Sequence, residues 1–403
     1  FWARFWPALA GASLALVPLF WRRRLSPFLT LGLALALALD PVLFILSRQA
    51  GSVIFVLAGL VWALSFFIAG KPVGVGVALA VALLGGPWAW AVLLLLLIAL
   101  GIAYFINKAA LKEFASSLLN ICPLRKSPAK FALSFVLTLL LLSTSFGLDP
   151  AGISGIAGGL SAFLQEGFST SQFPAWTPIY RWAAYSMCPI ILSVIATVHA
   201  WMDGAKAKRA LSLLTMVLLL GAVLFANLGT GGLAFVQLPI WILALSEIER
   251  LVKSASDQPR VSLYVFIFSL VLCVYLAISL KSFLNAFPGT LAFTQQGLAF
   301  GLGLVLLGLV YLFTGLGWSF QAAGKGTALA LTLVLLVSSL SLTLSSTVNK
   351  AKQAALIWSD SPILDSADEI SKVLHEYERL NTFELETASV AILDPNYSGY
   401  AWI

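Results

Sequence analysis

The chain has 403 residues, of which 60% are hydrophobic and 10% charged, and its mean hydropathy is +0.97. This composition excludes an ordinary soluble globular protein. The formal net charge of +7 does not indicate nucleic-acid binding, because the cations flank apolar runs, where they face anionic lipid headgroups. The three cysteines are far apart and form no disulfide or metal-binding pattern.

Apolar runs long enough to cross a hydrocarbon core recur along the chain. Gly85-Gly86-Pro87 interrupts one of them, and we predict two short helices there rather than one kinked helix. The sequence therefore predicts an all-α polytopic membrane protein with about twelve transmembrane helices. The predicted spans lie near 5–21, 28–47, 51–69, 73–85, 88–106, 131–147, 185–202, 210–227, 232–246, 262–280, 297–317 and 327–347.

Most lysines and arginines fall on alternate connections between these spans. Because such residues are retained in the cytoplasm during insertion, this bias predicts the orientation of the chain. We expect a multi-pass protein of the plasma (inner) membrane. The predicted cytoplasmic side carries Arg22–Arg24, Lys71, Lys108, Lys112, Arg125, Lys126, Lys130, Lys206, Lys208, Arg209, Arg250, Lys253, Arg260 and Lys325. The other side holds single cations between spans, at Arg48, Arg181 and Lys281.

Three further segments have distinct compositions. In the predicted outer loop 148–184, apolar residues at three- and four-residue intervals from Ile153 to Leu164 predict an interfacial helix that is capped after Glu166 by Gly167. The predicted cytoplasmic loop 107–130 is either a helix on the membrane surface or a basic tether.

The tail 348–403 is acidic, and a capping box predicts a helix over 366–380, followed by a strand at 390–393. We therefore divide the chain into a transmembrane domain, 1–347, and the truncated start of a non-cytoplasmic soluble α/β domain, 348–403.

Few polar residues within the predicted spans or on the predicted outer side could take part in catalysis or binding. Asp40 is a catalytic candidate, because an acid within a span is costly; the alternative is a helix-breaking Asp-Pro junction nearer the surface. Asp149 and Glu166 are the acids of the outer loop, and each could act as a base or bind a divalent cation, Mg²⁺ or Mn²⁺. The alternative is that both are solvated helix caps.

Arg48 could hold a lipid-linked phosphate, because the guanidinium fork matches phosphate oxygens. Arg181 and Lys281 are further candidates for the same anion. The alternative for all three is that they extend to lipid headgroups. His199 is predicted to be an interfacial or core histidine, and no histidine has a metal-ligand partner at useful spacing, so we predict no dedicated metal centre.

Four short motifs follow one another in the first fifty residues, namely Arg4-Phe5-Trp6-Pro7-Ala8-Leu9-Ala10-Gly11, Arg22-Arg23-Arg24-Leu25, Leu39-Asp40-Pro41 and Leu46-Ser47-Arg48-Gln49-Ala50. In their order and spacing they resemble family-39-type glycosyltransferases, the group of protein O-mannosyltransferases and lipid A aminoarabinose transferases within the GT-C superfamily. This resemblance implies that the chain is a fragment whose first span and first outer loop, with the catalytic acid of the family, would precede Phe1.

The resemblance also implies the activity. A sugar would move from a polyprenyl-phosphate-linked donor to a hydroxyl of a glycan, lipid or protein acceptor on the non-cytoplasmic face. Two alternatives remain open: a twelve-span secondary transporter, and a non-catalytic membrane protein of the same fold. A transporter of that kind typically has broken helices and charged residues near the membrane midplane.

Overall fold

The computed structural model describes residues 2–48, 51–106, 127–169, 179, 182–183, 186–253, 259–285 and 291–348. Every regular element in these ranges is helical, which confirms the all-α class of the transmembrane domain. Three predictions lie outside the described residues: the surface helix of loop 107–130 for the most part, Arg181, and the tail with its helix and strand.

The first half of the described chain is a series of short and medium helices that begin mostly at prolines. Proline fits the first turn of a helix, where its missing N–H group has no partner in any case. The helices are α1 (Trp2–Leu14), α2 (Val17–Trp21), α3 (Pro27–Leu39), α4 (Pro41–Arg48), α5 (Val53–Ile68), α6 (Pro72–Leu84), α7 (Pro87–Ile106), α8 (Pro128–Ser143) and α9 (Ser154–Glu166).

The second half contains longer helices. They are α10 (Met187–Met202), α11 (Lys206–Leu224), α12 (Ala234–Lys253), α13 (Pro259–Asn285), α14 (Leu291–Gly317) and α15 (Phe320–Val348). Short 3₁₀ turns at Pro150–Ile153, Ala226–Leu228 and Thr230–Leu233 precede or follow α-helices. The predicted break between α6 and α7 is confirmed, and Gly86 takes a left-handed φ of 91° there.

Six of the described helices are long and apolar enough to cross a membrane, which confirms the membrane class. A seventh span results if α3 and α4 are counted together, although they meet at an angle of 48°. The predicted span over 28–47 thus consists of two helices, and the helix-breaking Asp-Pro junction that the sequence left open is present. The chain bends at Asp40 because Pro41 cannot donate the hydrogen bond that would continue α3. The count of twelve spans remains a prediction.

Helix α12 lies at the centre of the molecule. The most apolar stretch of this helix is 83% buried inside the protein, whereas the corresponding stretch of α14 is only 6% buried. It packs against α3, α10, α11 and α15, while α13 and α14 lie outside α15. Because α12 is enclosed on most sides, polar groups on it must find partners within the protein.

The loops gather at two faces. The basic face carries the segments 22–26, 203–209, 249–253, 259–260 and 325, where Arg250 lies 3.4 Å from Asp203 and Lys325 Nζ donates to the carbonyl of Val252 over 3.4 Å. The opposite face carries the segments 51–52, 85–86, 144–169 and 225–233. The positive-inside rule predicts that the basic face is cytoplasmic and the opposite face is not.

Two glycines let α6 approach its neighbours closely. A Cβ atom added to Gly59 of α5 would lie 2.7 Å from both Ala78 O and Ala82 N of α6. On the other side, a Cβ added to Gly76 would lie 2.7 Å from Phe131 O of α8. Small residues at helix contacts permit the backbone proximity on which packing in a membrane depends. Helices α5 and α8 can therefore pack closely on the two sides of α6 because Gly59 and Gly76 carry no side chain.

Candidate functional site

Asp40 lies at the bend between α3 and α4, and its side chain caps α4. Its Oδ1 atom accepts a hydrogen bond from the backbone N–H of Leu43 over 2.9 Å. This bond satisfies one of the donors that a helix leaves free at its first turn. The residue is only 1% exposed, so the carboxyl group must be compensated from within the protein.

The compensation comes from α12. Trp241 Nε1 donates to Asp40 Oδ2 over 2.7 Å, and Gln237 Nε2 donates to Asp40 Oδ1 over 3.3 Å. Gln237 Nε2 also donates to the hydroxyl of Ser186 over 2.6 Å. We call Asp40, Ser186, Gln237 and Trp241 the Asp40 cluster. Each of its members is at most 3% exposed, and three donors converge on one carboxylate.

The sequence analysis singled out Asp40 and missed its partners. Gln237 and Trp241 are four residues apart on α12 and so share one face of that helix. The available signal was a glutamine within an apolar span, because an amide at that depth requires a hydrogen-bonding partner. Gln237 Oε1 is buried and has no hydrogen-bonding partner among the described residues, so the cluster retains one free acceptor.

The opposite face brings together several loops that are far apart in sequence. Gly86 lies against Ser52, because a Cβ added to the glycine would be 3.6 Å from Ser52 Oγ. Trp88 Nε1 donates to the carbonyl of Leu228 over 2.8 Å, and Asn227 Nδ2 donates to that of Ser169 over 2.6 Å. The segment that follows α4, the start of α7 and the loop after α11 therefore form one surface.

Helix α9 lies on this surface, packed on α6 and α7. Phe163 is buried and makes edge contacts with Phe168 and Phe225, with ring centroids 5.6 and 5.5 Å apart. Leu160 and Leu164 are exposed. The predicted helix is confirmed and ends at Glu166 as expected, while its position in the membrane interface stays a prediction. Gly167 is the C-cap as predicted; its backbone N–H donates to the carbonyl of Phe163, and its φ of −63° is right-handed.

Arg48 is the last residue of α4 and is exposed at the opposite face. Its guanidinium carbon lies 5.6 Å from the centroid of the Phe44 ring, and it forms no ion pair with any described residue. Stacking on a ring orients the guanidinium and leaves its edge free to donate to an anion.

Lys281 lies near the end of α13 and is exposed, and that helix packs mainly on α14 and α15. Helix α4, which ends in Arg48, packs on α1, α5 and α15, so the helices of Lys281 and Arg48 share α15 as a neighbour. Arg181, the third cation proposed for a lipid phosphate, lies among the residues that the structure does not describe.

Asp149 and Glu166 are exposed at the two ends of one segment. Asp149 Oδ1 caps the 3₁₀ turn that precedes α9, where it accepts from Ala151 N over 3.0 Å. Glu166 ends α9, whose 13 residues span about 20 Å. The two carboxylates cannot share one cation, and the described residues contain no group of three or more potential metal ligands. The described carboxylates therefore do not fit a Mg²⁺ or Mn²⁺ site.

A second polar cluster lies at the basic face, remote from Arg48. Glu247 is 1% exposed, and its Oε1 atom lies 3.1 Å from His199 Nδ1 and 3.3 Å from Arg250 Nε. Arg250 Nη2 also lies 2.9 Å from His199 Nε2. The sequence analysis did not single out Glu247, although an acid inside an apolar span was the available signal. This cluster ties α10 to α12.

Comparisons with protein-family models, with curated proteins and with solved structures found no match for this chain.

Proposed function

We propose that this protein is a membrane glycosyltransferase of the GT-C type. It transfers a sugar from a polyprenyl-phosphate carrier to an acceptor hydroxyl at the opposite face, which we place outside the cytoplasm. The observation that carries the proposal is the joined surface on this face. There the amphipathic helix α9 packs on α6 and α7, and the segment after Arg48 contacts the same loops. An exposed cation at the same face as an amphipathic helix suits a substrate with a phosphate and a long apolar chain.

Arg48 would hold the phosphate of the carrier. The guanidinium can donate two parallel hydrogen bonds to phosphate oxygens, and its contact with Phe44 orients it toward the surface. The acceptor oxygen attacks the anomeric carbon, and the bond from that carbon to the phosphate oxygen breaks. The phosphate leaves with the bonding electrons, and its growing negative charge is stabilised by Arg48.

The proton of the acceptor hydroxyl needs a base. In the described chain, Asp149 and Glu166 are the exposed carboxylates of the opposite face, and both are proposed for this role. Asp40 suits a different task, because it is buried and already accepts three hydrogen bonds. We propose that it fixes the direction of α4, and therefore the position of Arg48 two turns later.

Replacing Arg48 by alanine is expected to reduce sugar transfer at least tenfold, because a phosphate contact that strengthens as the bond breaks is lost. Arg48→Lys should retain part of the activity, since it keeps the charge and loses the fork. The measurement is transfer from a panel of polyprenyl-phosphate-linked hexoses and pentoses by the protein reconstituted in lipid nanodiscs.

The matched control is Arg23→Ala, which removes an exposed arginine from the basic face. Its transfer rate should equal that of the unaltered chain. Normal transfer by Arg48→Ala would remove this residue from the site. An absence of transfer with every donor on either face would sink the enzymatic proposal itself.

The bend at Asp40 favours a second candidate, a secondary transporter. Broken spans with a buried polar residue at the break are typical of substrate and ion sites in such proteins. A transporter would move a solute into sealed vesicles and lose this movement with Asp40→Asn. A transferase instead leaves a new glycosidic bond in a product, so mass spectrometry of the product separates the two.

A further inference from the structure

A groove of ≈ 660 Å³ lies between α12, α13 and α15, close to the basic face. This volume falls within the range of pockets that hold small molecules. From Lys325 to Leu336 the groove follows α15 for about 16 Å. It is lined by Ile248, Pro259, Ser262, Leu263, Phe266, Lys325, Leu329, Thr332, Leu333 and Leu336. Neither the proposed transfer reaction nor the Asp40 cluster uses this groove.

The walls of the groove are apolar and open to the lipid side. Leu263 is 55% exposed and Leu333 is 41% exposed, both on helices that cross the membrane by length and composition. The hydroxyl of Thr332 donates to the carbonyl of Ala328 over 2.7 Å, so it is used within its own helix. A hydrocarbon chain that enters the groove from the bilayer would therefore not deprive the Thr332 hydroxyl of a hydrogen bond.

The end of the groove at the basic face is positively charged. Lys325 lines it, while Lys253 and Arg260 are exposed beside it on the ends of α12 and α13. Among the described residues around this end, Glu249 is the neighbouring acid, and it already pairs with Lys253 over 2.5 Å. When Asp257 of the undescribed loop 254–258 is also counted, three cations stand against two carboxylates, which leaves a net positive charge where the apolar groove meets the membrane surface.

We infer that this groove binds a phospholipid of net negative charge, with one acyl chain along α15 and the headgroup phosphate beside Lys325. Basic pockets between transmembrane helices on the cytoplasmic side are suited to anionic headgroups. The acyl chain alone cannot provide selectivity, because the surrounding bilayer is as apolar as the groove. Selection between lipids must therefore come from the charges at the basic end.

The test is native mass spectrometry of the full chain in mixed micelles that contain phosphatidylglycerol and phosphatidylcholine in equal amounts. The unaltered protein should retain phosphatidylglycerol in preference, and added salt should weaken this preference. Lys325→Ala should reduce the retention of phosphatidylglycerol about fivefold, as expected for one cation near the surface. Leu329→Trp, which fills the groove, should reduce the retention of both lipids at this site.

The matched control is Lys71→Ala, which removes an exposed lysine on the connection between α5 and α6, also predicted to be cytoplasmic. It should leave the preference unchanged. Equal losses in Lys71→Ala and Lys325→Ala would overturn the proposal, because they would reveal general surface attraction. Unchanged retention in Lys325→Ala would do the same, as would displacement of phosphatidylglycerol by equimolar polyprenyl phosphate, which would assign the groove to a different lipid.

Discussion

Replacing Asp40 by alanine is expected to lower the free energy of unfolding by about 3 kcal/mol. The substitution removes the cap of α4 and leaves the indole N–H of Trp241 buried without an acceptor. It also removes one acceptor of Gln237, which keeps only Ser186. The measurement is thermal unfolding in detergent, where we expect the midpoint to fall by about 5 °C.

Asp149→Ala provides the matched control, because it also removes a carboxylate that caps a helical turn, but an exposed one. Its effect should be much smaller, since water replaces the lost partner. The loss of stability in Asp40→Asn should fall between those of the two alanine variants. Its amide oxygen can still accept from Leu43, but its NH₂ group would face the Trp241 N–H, which is also a donor. If both alanine variants lost the same small amount of stability, the hydrogen bonds from α12 to Asp40 would not contribute as proposed.

A double-mutant cycle separates the bond between Asp40 and Trp241 from general damage. Trp241→Phe should cost less in the Asp40→Ala background than in the unaltered chain, because the partner is already absent. Additive losses would show that the two side chains do not act together. The coupling energy is read from the same thermal midpoints.

Replacing Gly59 by valine is expected to destabilise the protein by about 3 kcal/mol, at the upper end of overpacking effects. The new Cβ would meet the backbone of α6 at 2.7 Å, and a backbone cannot move aside as a flexible side chain can. Helices α5 and α6 would have to separate, with the contact of α6 to α8 affected in turn. The fraction that elutes as a single species in size-exclusion chromatography should fall sharply.

The comparison is with Gly101→Val in α7, where an added Cβ would have nothing within 4 Å. Both substitutions place a β-branched residue inside a helix, so their difference measures the close approach alone. Gly59→Ala should give an intermediate loss. Equal behaviour of the two valine variants would mean that α5 and α6 are not in contact as described.

Much of the fold followed from the sequence, because apolar runs and prolines act locally. The Gly85-Gly86-Pro87 break and helix α9 were predicted from residues that are neighbours along the chain. The bend at Asp40 was left open between a functional acid and a helix break, since an Asp-Pro pair fits both. The structure shows a break at which the acid is also fully buried, so the two readings are not exclusive.

The partners of the site could not be predicted in the same way. Periodicity indicates which face of a helix is apolar, but it does not say which helix lies against it. Gln237 is 197 residues from Asp40, and Trp241 is 201 residues from it. Pairing them requires knowledge of how α3 and α12 pack, which the periodicity of a single sequence does not reveal. Glu247, towards the other end of α12, and His199 of α10 were missed as a pair for the same reason.

The separation in sequence between Asp40 and its hydrogen-bond donors also affects the protein during its synthesis. A ribosome adds about 5–20 residues per second, so Gln237 and Trp241 are made about 10–40 s after Asp40. During this interval the α3–α4 pair carries a carboxyl group without the indole and amide that later donate hydrogen bonds to it. An isolated acid at membrane depth costs about 3 kcal/mol on insertion scales, so the young chain must keep Asp40 protonated, hydrated or sheltered by the insertion machinery. The contacts that secure Asp40 can therefore form only after α12 has been made, about 200 residues later in the chain.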